Sequence, residues 1–191
     1  PRPAERYDIY MAGEGGQGIG LLSEALARAA DKAGLPVRGC DTHGLAQRGG
    51  VVTSHLRLGR AAHSPLVSPG RADLVVALER HEALRAARDY LKEGGVLVWY
   101  DAVFQPLEVR LGKAAEVGAA EVEEECGRKG ARAVLVLRED LPDPRMQNVA
   151  LLSALAELGL PPGLRREHLK AALEDLMEGA ALERNLSVLE P

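Results

Sequence analysis

Two cysteines, Cys40 and Cys126, are all that the 191 residues contain. A cubane iron–sulfur cluster needs four thiolates, so this chain by itself cannot hold one. Thiols so few and so far apart also fit a reducing compartment better than a disulfide framework. Aromatic side chains are scarce, with one tryptophan, one phenylalanine and four tyrosines. That supply is too small to line an aromatic substrate pocket. No apolar run is long enough to span a bilayer. The polar stretch Pro1-Arg2-Pro3-Ala4-Glu5-Arg6 carries no signal-peptide pattern, so a cytoplasmic location without membrane contact is expected. A net charge of −4 leaves no general basic surface for nucleic acid. A P-loop lysine, a Gly-x-Ser-x-Gly nucleophile and a thiamine-type Gly-Asp-Gly segment are missing as well. Asparagine occurs only at Asn148 and Asn185, and arginine far outnumbers lysine. Heat adaptation and a GC-rich genome account for that bias equally well.

What is present is a sequence that is 46% hydrophobic, enough for a sizeable core in a single domain. Its first part alternates strand and helix signals. Tyr7 to Ala12 reads as a strand. Leu22, Ala25, Leu26, Ala29, Ala30 and Ala33 recur at helical spacing, with Gly34 placed to end that helix. Pro36 to Cys40 and Val51 to Leu58 read as further strands, and Asp73 to Glu79 as a buried parallel one. A helix is expected over His81 to Lys92, stopped by Gly94-Gly95, then a strand over Val96 to Tyr100. Glu116 to Arg128 predicts a charged helix and Ala133 to Leu137 a last strand. Two helices, Met146 to Leu158 and Glu167 to Met177, are expected around the breaker Gly159-Leu160-Pro161-Pro162-Gly163. The expected class is α/β: an open, mainly parallel Rossmann-like sheet with helices on both faces. Residues 1–140 would form the sheet core and 145–191 a C-terminal helical extension, together one domain over 1–191.

Gly13-Glu14-Gly15-Gly16-Gln17-Gly18 follows the first strand and opens the first helix. Gly13, Gly15 and Gly18 fit the dinucleotide fingerprint, whose loop bares backbone N–H groups and aims a helix N-terminus at an anion. Gly16 and Gln17 are additional to it. Four glycines in six residues exceed what a tight turn requires. A second loop, His43-Gly44-Leu45-Ala46-Gln47-Arg48-Gly49-Gly50, falls one helix and one strand later. Its arginine fork suits phosphate or carboxylate, and Gly49 and Gly50 admit close approach of a ligand or another chain. Both loops are expected at strand ends facing one crevice. The nicotinamide alternative needs an acidic residue at the end of the second strand, where Asp41 stands, though slightly late. A non-catalytic module for a phosphorylated ligand is a further alternative. Histidine is easily tuned near neutrality, so His43 is a catalytic candidate, although such a loop histidine is more commonly a hydrogen-bonding fixture. Cys40 and His43 have no second pair at metal-ligand spacing, so no metal site is expected. Cys40 lacks an evident base to activate it. Arg57 either lines the crevice or faces solvent, and Glu121, Glu123, Glu124 and Glu125 read as a solvated helix face.

The two loops together resemble the gamma-type subunit or domain of 2-oxoacid:ferredoxin oxidoreductases. The His-Gly and Gln-Arg-Gly-Gly form is most similar to the beta subunit of indolepyruvate ferredoxin oxidoreductases. Ser64-Pro65-Leu66-Val67, Ala72-Asp73, Asn148 and Asn185 agree with it, so the likeness spans nearly the whole chain. The resemblance implies an enzyme subunit inactive alone. The complex would convert a 2-oxoacid, coenzyme A and oxidised ferredoxin to acyl-CoA, carbon dioxide and reduced ferredoxin. It places thiamine diphosphate and the 4Fe-4S clusters on a large partner subunit, which reduces ferredoxin. A hetero-oligomer is therefore implied, with a homodimer conceivable for the isolated chain. Carried over residue by residue, the site comprises Gly13, Gly15, Gly16, Gln17, Gly18, His43, Gln47, Arg48, Gly49 and Gly50. These would meet coenzyme A or the neighbouring subunit; the residues do not choose between the two, nor do they identify the 2-oxoacid.

Overall fold

The computed structural model describes residues 5–42, 50–102 and 116–190. The first apolar run forms β1 (Tyr7–Glu14), and the periodic alanines and leucines after the Gly-rich turn form α1 (Ile19–Lys32). There follow β2 (Val37–Thr42), β3 (Val51–Leu58), β4 (Ala72–Ala77), α2 (Arg80–Asp89) and β5 (Leu91–Tyr100). The chain continues with α3 (Ala119–Arg128), β6 (Arg132–Val136), a short 3-10 turn (Pro144–Met146), α4 (Gln147–Leu158), α5 (Arg166–Leu176) and α6 (Gly179–Leu189). The strands lie in the order β2-β3-β1-β4-β5-β6. The β1/β4, β4/β5 and β5/β6 pairs are parallel, whereas β3 is antiparallel to both β1 and β2. The sheet is thus mainly parallel with one reversed strand. Only residues 43–50 separate β2 from β3, too few for a crossover, so β3 must return antiparallel.

Successive side chains of the inner strands enter opposite layers, as a pleated sheet covered on both faces requires. Ile9, Met11, Leu74, Val76 and Val98 pack with α1, α4, α5 and α6 through Leu22, Leu26, Leu151, Leu155, Leu173 and Leu189. Tyr10, Ala12, Val75, Ala77, Leu97 and Trp99 pack with α2 and α3 through Ala83, Ala87, Val122 and Cys126. The C-terminal helices therefore share one core with β1 and α1.

Several elements depart from expectation. Gly94-Gly95 does not stop a helix: α2 ends at Asp89, and β5 begins at Leu91 and runs through both glycines. Leu91 pairs with Ala72, but Val96 pairs with Leu74, so the register shifts across the glycine pair. Gly94 has φ +67°, and a Cβ on Gly95 would lie 2.8 Å from Leu91 Cδ1 and 3.2 Å from the Asp73 carbonyl oxygen. Glycine is what the bulge demands. Helix α3 starts at Ala119 rather than Glu116, with Glu121 accepting from the Gly118 N–H at 2.8 Å. Glu125 on that helix is buried against Arg88 and Arg128 rather than solvated. Helix α6 was not foreseen.

Arg57 neither lines the crevice nor faces solvent. It is buried near the amino end of β1, with Nε 2.9 Å from the Asp8 carboxylate. Its Nη1 donates to the carbonyls of Ser64 (3.1 Å) and Leu66 (3.0 Å). One residue pair along β3, His55 Nδ1 accepts from the Val67 N–H at 3.1 Å, and burial lowers the His55 pKa. These bonds strap the 59–71 segment across the face of β3 that α2 and α3 leave uncovered.

At the start of α2, Glu79 is fully buried and caps the helix by accepting from the Glu82 N–H at 2.5 Å. Its other oxygen lies 3.2 Å from His81 Nδ1. Burial, then the Glu79 and Glu14 carboxylates, raise the Glu82 carboxyl to about 7 against the opposing pull of Arg85.

Two outcomes follow. Replacing Arg57 with alanine strands a buried Asp8 beside only the half-exposed Arg6. The expected loss is about 3 kcal/mol in denaturant titrations followed by Trp99 fluorescence, and a loss within experimental error would show the pair to be dispensable. For Glu82, the folded pKa lies above the ordinary 4.5. Its contribution is therefore complete below the unfolded value and is lost as pH rises through about 7. Glu82→Gln should be the more stable protein at alkaline pH by roughly 1–3 kcal/mol, and parallel pH–stability curves for the two would refute this.

Candidate functional site

The Gly-rich turn sits at the carboxyl end of β1, where parallel sheets open toward ligands. Gln17 determines its shape. The buried amide accepts from the Glu14 N–H at 2.7 Å and donates to the Leu78 carbonyl at 3.2 Å. Both ends of the side chain are thus committed to holding the turn against the end of β4. Gly13 makes room for that amide, because a Cβ there would stand 3.1 Å from Gln17 Oε1 and from Ile19. Gly16 is exposed with φ +95°, and nothing lies within 4 Å of its missing Cβ. Gly18 is the left-handed N-cap of α1 at φ +88°. A Cβ on it would come within 2.5 Å of Asn148 Nδ2.

Helix α1 thereby begins without a side-chain cap and without an acidic residue in its first turn. Among the described residues, neither a side-chain cap nor a first-turn carboxylate offsets the positive end of its dipole. Gly15 N–H donates to the Gly50 carbonyl at 2.9 Å, which ties the first loop to the far end of the second. Of the second loop, Gly50 is described; His43, Gln47, Arg48 and Gly49 lie outside the described residues. The structure brings Gly13, Gly15, Gly16, Gln17, Gly18 and Gly50 to one end of the sheet.

Asp41, the candidate ribose ligand, is turned onto the α1 face. It accepts from Ser54 Oγ and from Ser23 Oγ (3.2 Å), and the two hydroxyls are themselves 2.6 Å apart. Cys40 and Cys126 are both free thiols. Burial, with the Asp41 charge second, raises the Cys40 pKa, which suits a resting thiol rather than a nucleophile. Among the described residues no three histidine, cysteine or carboxylate side chains gather as a metal site.

A cleft of about 350 Å³ opens on the β5–β6 flank of the Gly-rich turn, and sequence reasoning missed it. Gly16 and Gln17 form one wall; Tyr100, Ala102, Arg138, Leu141, Arg145 and Gln147 form much of the remainder. Tyr100 Oη donates to the Arg138 carbonyl at 2.9 Å. Arg138 pairs with Asp140 and Arg145 with Asp143, each at 2.6 Å. The available signal was the charged, proline-broken run Arg138-Glu139-Asp140-Leu141-Pro142-Asp143-Pro144-Arg145 just beyond β6.

Comparison with known proteins bears on the same residues. The chain is 33% identical over 190 residues to the indolepyruvate oxidoreductase subunit IorB of Archaeoglobus fulgidus, across 97% of this chain and 92% of that protein. Its fold is similar to that of pyruvate oxidoreductase subunit PORC from Thermotoga maritima, with a TM-score of 0.68 at 22% identity over 98% of this chain and 94% of that one. It is also similar to a part of the 2-oxoglutarate:ferredoxin oxidoreductase of Magnetococcus marinus, solved with 2-oxoglutarate, coenzyme A and succinyl-CoA. There the TM-score is 0.70 at 22% identity, over 98% of this chain and 30% of that chain. Residues 8–191 match the family described as pyruvate ferredoxin/flavodoxin oxidoreductase, and the chain belongs to that family.

Proposed function

We propose that this chain is an accessory subunit of a 2-oxoacid ferredoxin oxidoreductase of the indolepyruvate or arylpyruvate type. The complex would cleave the bond between the carboxylate and the oxo carbon, releasing carbon dioxide. It would pass the acyl group to the coenzyme A thiol and two electrons to ferredoxin. The observation that carries the reading is the match to an indolepyruvate oxidoreductase subunit over 97% of this chain. The chemistry of the residues supports the division of labour. Cys40 lies on the edge strand β2 and Cys126 on the buried face of α3, so two thiols on separate elements fit no iron–sulfur cluster. Thiamine diphosphate and the clusters then belong to the large subunit, and this chain acts within a hetero-oligomer.

For this chain's own residues we assign binding rather than chemistry. The open end of α1, beside the exposed backbone of Gly16, presents N–H donors suited to the phosphates of coenzyme A, the Gly15 N–H being spent on the Gly50 carbonyl. Gln17 holds those donors in fixed directions. Gln47, Arg48, Gly49 and Gly50 are assigned to the same ligand, with His43 as a hydrogen-bonding fixture.

Co-expressed with its large subunit, the chain should restore 2-oxoacid- and coenzyme A-dependent dye reduction that neither subunit shows alone. Arg48→Ala should raise the KM for coenzyme A about tenfold with little change in kcat; if affinity for coenzyme A and for the large subunit both stay unchanged, the loop assignment is wrong. Calorimetry of the isolated chain with millimolar NAD or NADP should show no heat, because Asp41 is engaged by Ser23 and Ser54. Saturable heat would favour a dehydrogenase.

A further inference from the structure

The sheet ends on one side at β2, and among the described residues nothing pairs with its outer edge. Gly59 N–H donates to the Pro36 carbonyl at 2.8 Å. Antiparallel pairs alternate between bonded and non-bonded positions. Arg38, Cys40 and Thr42 therefore bond to β3, while Val37, Gly39 and Asp41 turn their N–H and C=O groups outward. An edge of this kind takes up another strand unless a charge, a proline or a bulge blocks it. The register of β2 with β3 is unbroken and no proline interrupts the strand. The Arg38 guanidinium is drawn back to the Ala62 carbonyl at 2.6 Å, and the Asp41 carboxylate is held by Ser23 and Ser54. Neither charge guards the edge.

Val37 and Asp41 face α1, and with Gly39, Ala27 and Leu56 they line a groove of about 330 Å³. Glu24 stands on its rim and Arg28 one helical turn further on, joined at 2.7 Å with side chains 53% and 42% exposed. An acid and a base one turn apart on an exposed face are self-complementary under a two-fold axis. The register of such a pairing is narrow. Centring it on Arg38 or on Asp41 would set like charges directly opposite. Centring it on Gly39 engages all three outward residues in roughly six backbone bonds, against roughly four about Cys40. Helix α1 runs back along β2, with Ser23 meeting Asp41 at 3.2 Å. The two strand residues from Asp41 to Gly39 span about 6.6 Å, or roughly four helix residues beyond Ser23. An axis at Gly39 thus passes between Glu24 and Arg28.

We infer that the β2 edge is a two-fold interface at which a second copy of this chain adds its own β2, antiparallel about Gly39. Two six-stranded sheets become one, and Glu24 of each copy faces Arg28 of the other. The contact needs neither coenzyme A nor the large subunit, so its test is separate from that of the subunit assignment.

The test is sedimentation equilibrium of the full chain at low salt. A reversible dimer with a Kd of about 10 µM or below is expected. Glu24→Arg and Arg28→Glu, both at exposed positions, should each weaken it about tenfold or more. Mixed in equal amounts, the two variants should form a heterodimer as tight as the wild type, because each like-charged face then meets its opposite. Gly39→Pro removes an outward N–H that β3 does not use and should give a folded monomer. A chain still monomeric at roughly 100 µM, a dimer that either charge variant leaves intact, or a mixture that fails to associate would overturn the proposal. Should Gly39→Pro misfold, the mixing experiment decides alone. A monomeric chain whose assembly with the large subunit is abolished by Gly39→Pro would give the edge to that subunit instead.

Discussion

Helix α4 can approach the start of α1 only because Gly18 has no side chain. Asn148 Nδ2 sits 2.5 Å from where a Cβ would be, closer than any real Cβ contact. From that contact α4 runs inward, with Val149, Leu151, Leu152 and Leu155 fully buried against the sheet. Helices α5 and α6 then pack on α1 and α4 within the same core. The glycine that shapes the turn thus also determines where the C-terminal helices dock. A methyl group at Gly18 would strain a left-handed backbone and displace α4 together.

That double duty explains which parts of the molecule were legible in the sequence. The α1 face was readable because Leu22, Ala25, Leu26, Ala29 and Ala30 keep helical period and all become buried. The Gly-rich turn was readable because so many adjacent glycines have few other uses. Gln17 was noticed but its role was not, since its partners include Leu78, 61 positions away. Gly94-Gly95 was misread because a helix stop and a strand bulge draw on the same conformational freedom; only the pairing with β4 separates them. Arg57 alternates with apolar residues, a pattern shared by a solvent-facing side chain and one that neutralises a buried Asp8 across the strand pair. Helix α6 begins at Gly179 without a side-chain cap, so its start carries no local signal. The cleft residues Arg138, Arg145 and Gln147 meet Gly16 only after the whole sheet has formed, which no spacing within the sequence encodes.

The two ends of the sheet are built differently, and the difference is electrostatic. At the amino end of β1, charge is saturated: Asp8 is met by Arg57 and Arg6, its N–H donates to Asp73, and Asp73 is met by Lys92. Such a network consumes every strong partner and strengthens the 59–71 strap. At the carboxyl end, helix α1 starts without a side-chain cap and without an acidic residue in its first turn. Closed pairs at one end and open donors at the other give the molecule one face suited to anions.

Open donors bind well only if they do not move when the anion arrives, because reorganisation would absorb much of the gain. The Gln17 amide supplies that rigidity by bonding to the turn and to the strand beside it. The Gly15–Gly50 bond extends it to the root of the second loop. Side chains would be poor substitutes, since each long cation loses rotamer entropy when it is fixed. A face of this kind is preorganised to orient a ligand, and the Cys40 thiol on the neighbouring edge strand is pushed toward its protonated form by burial and by Asp41.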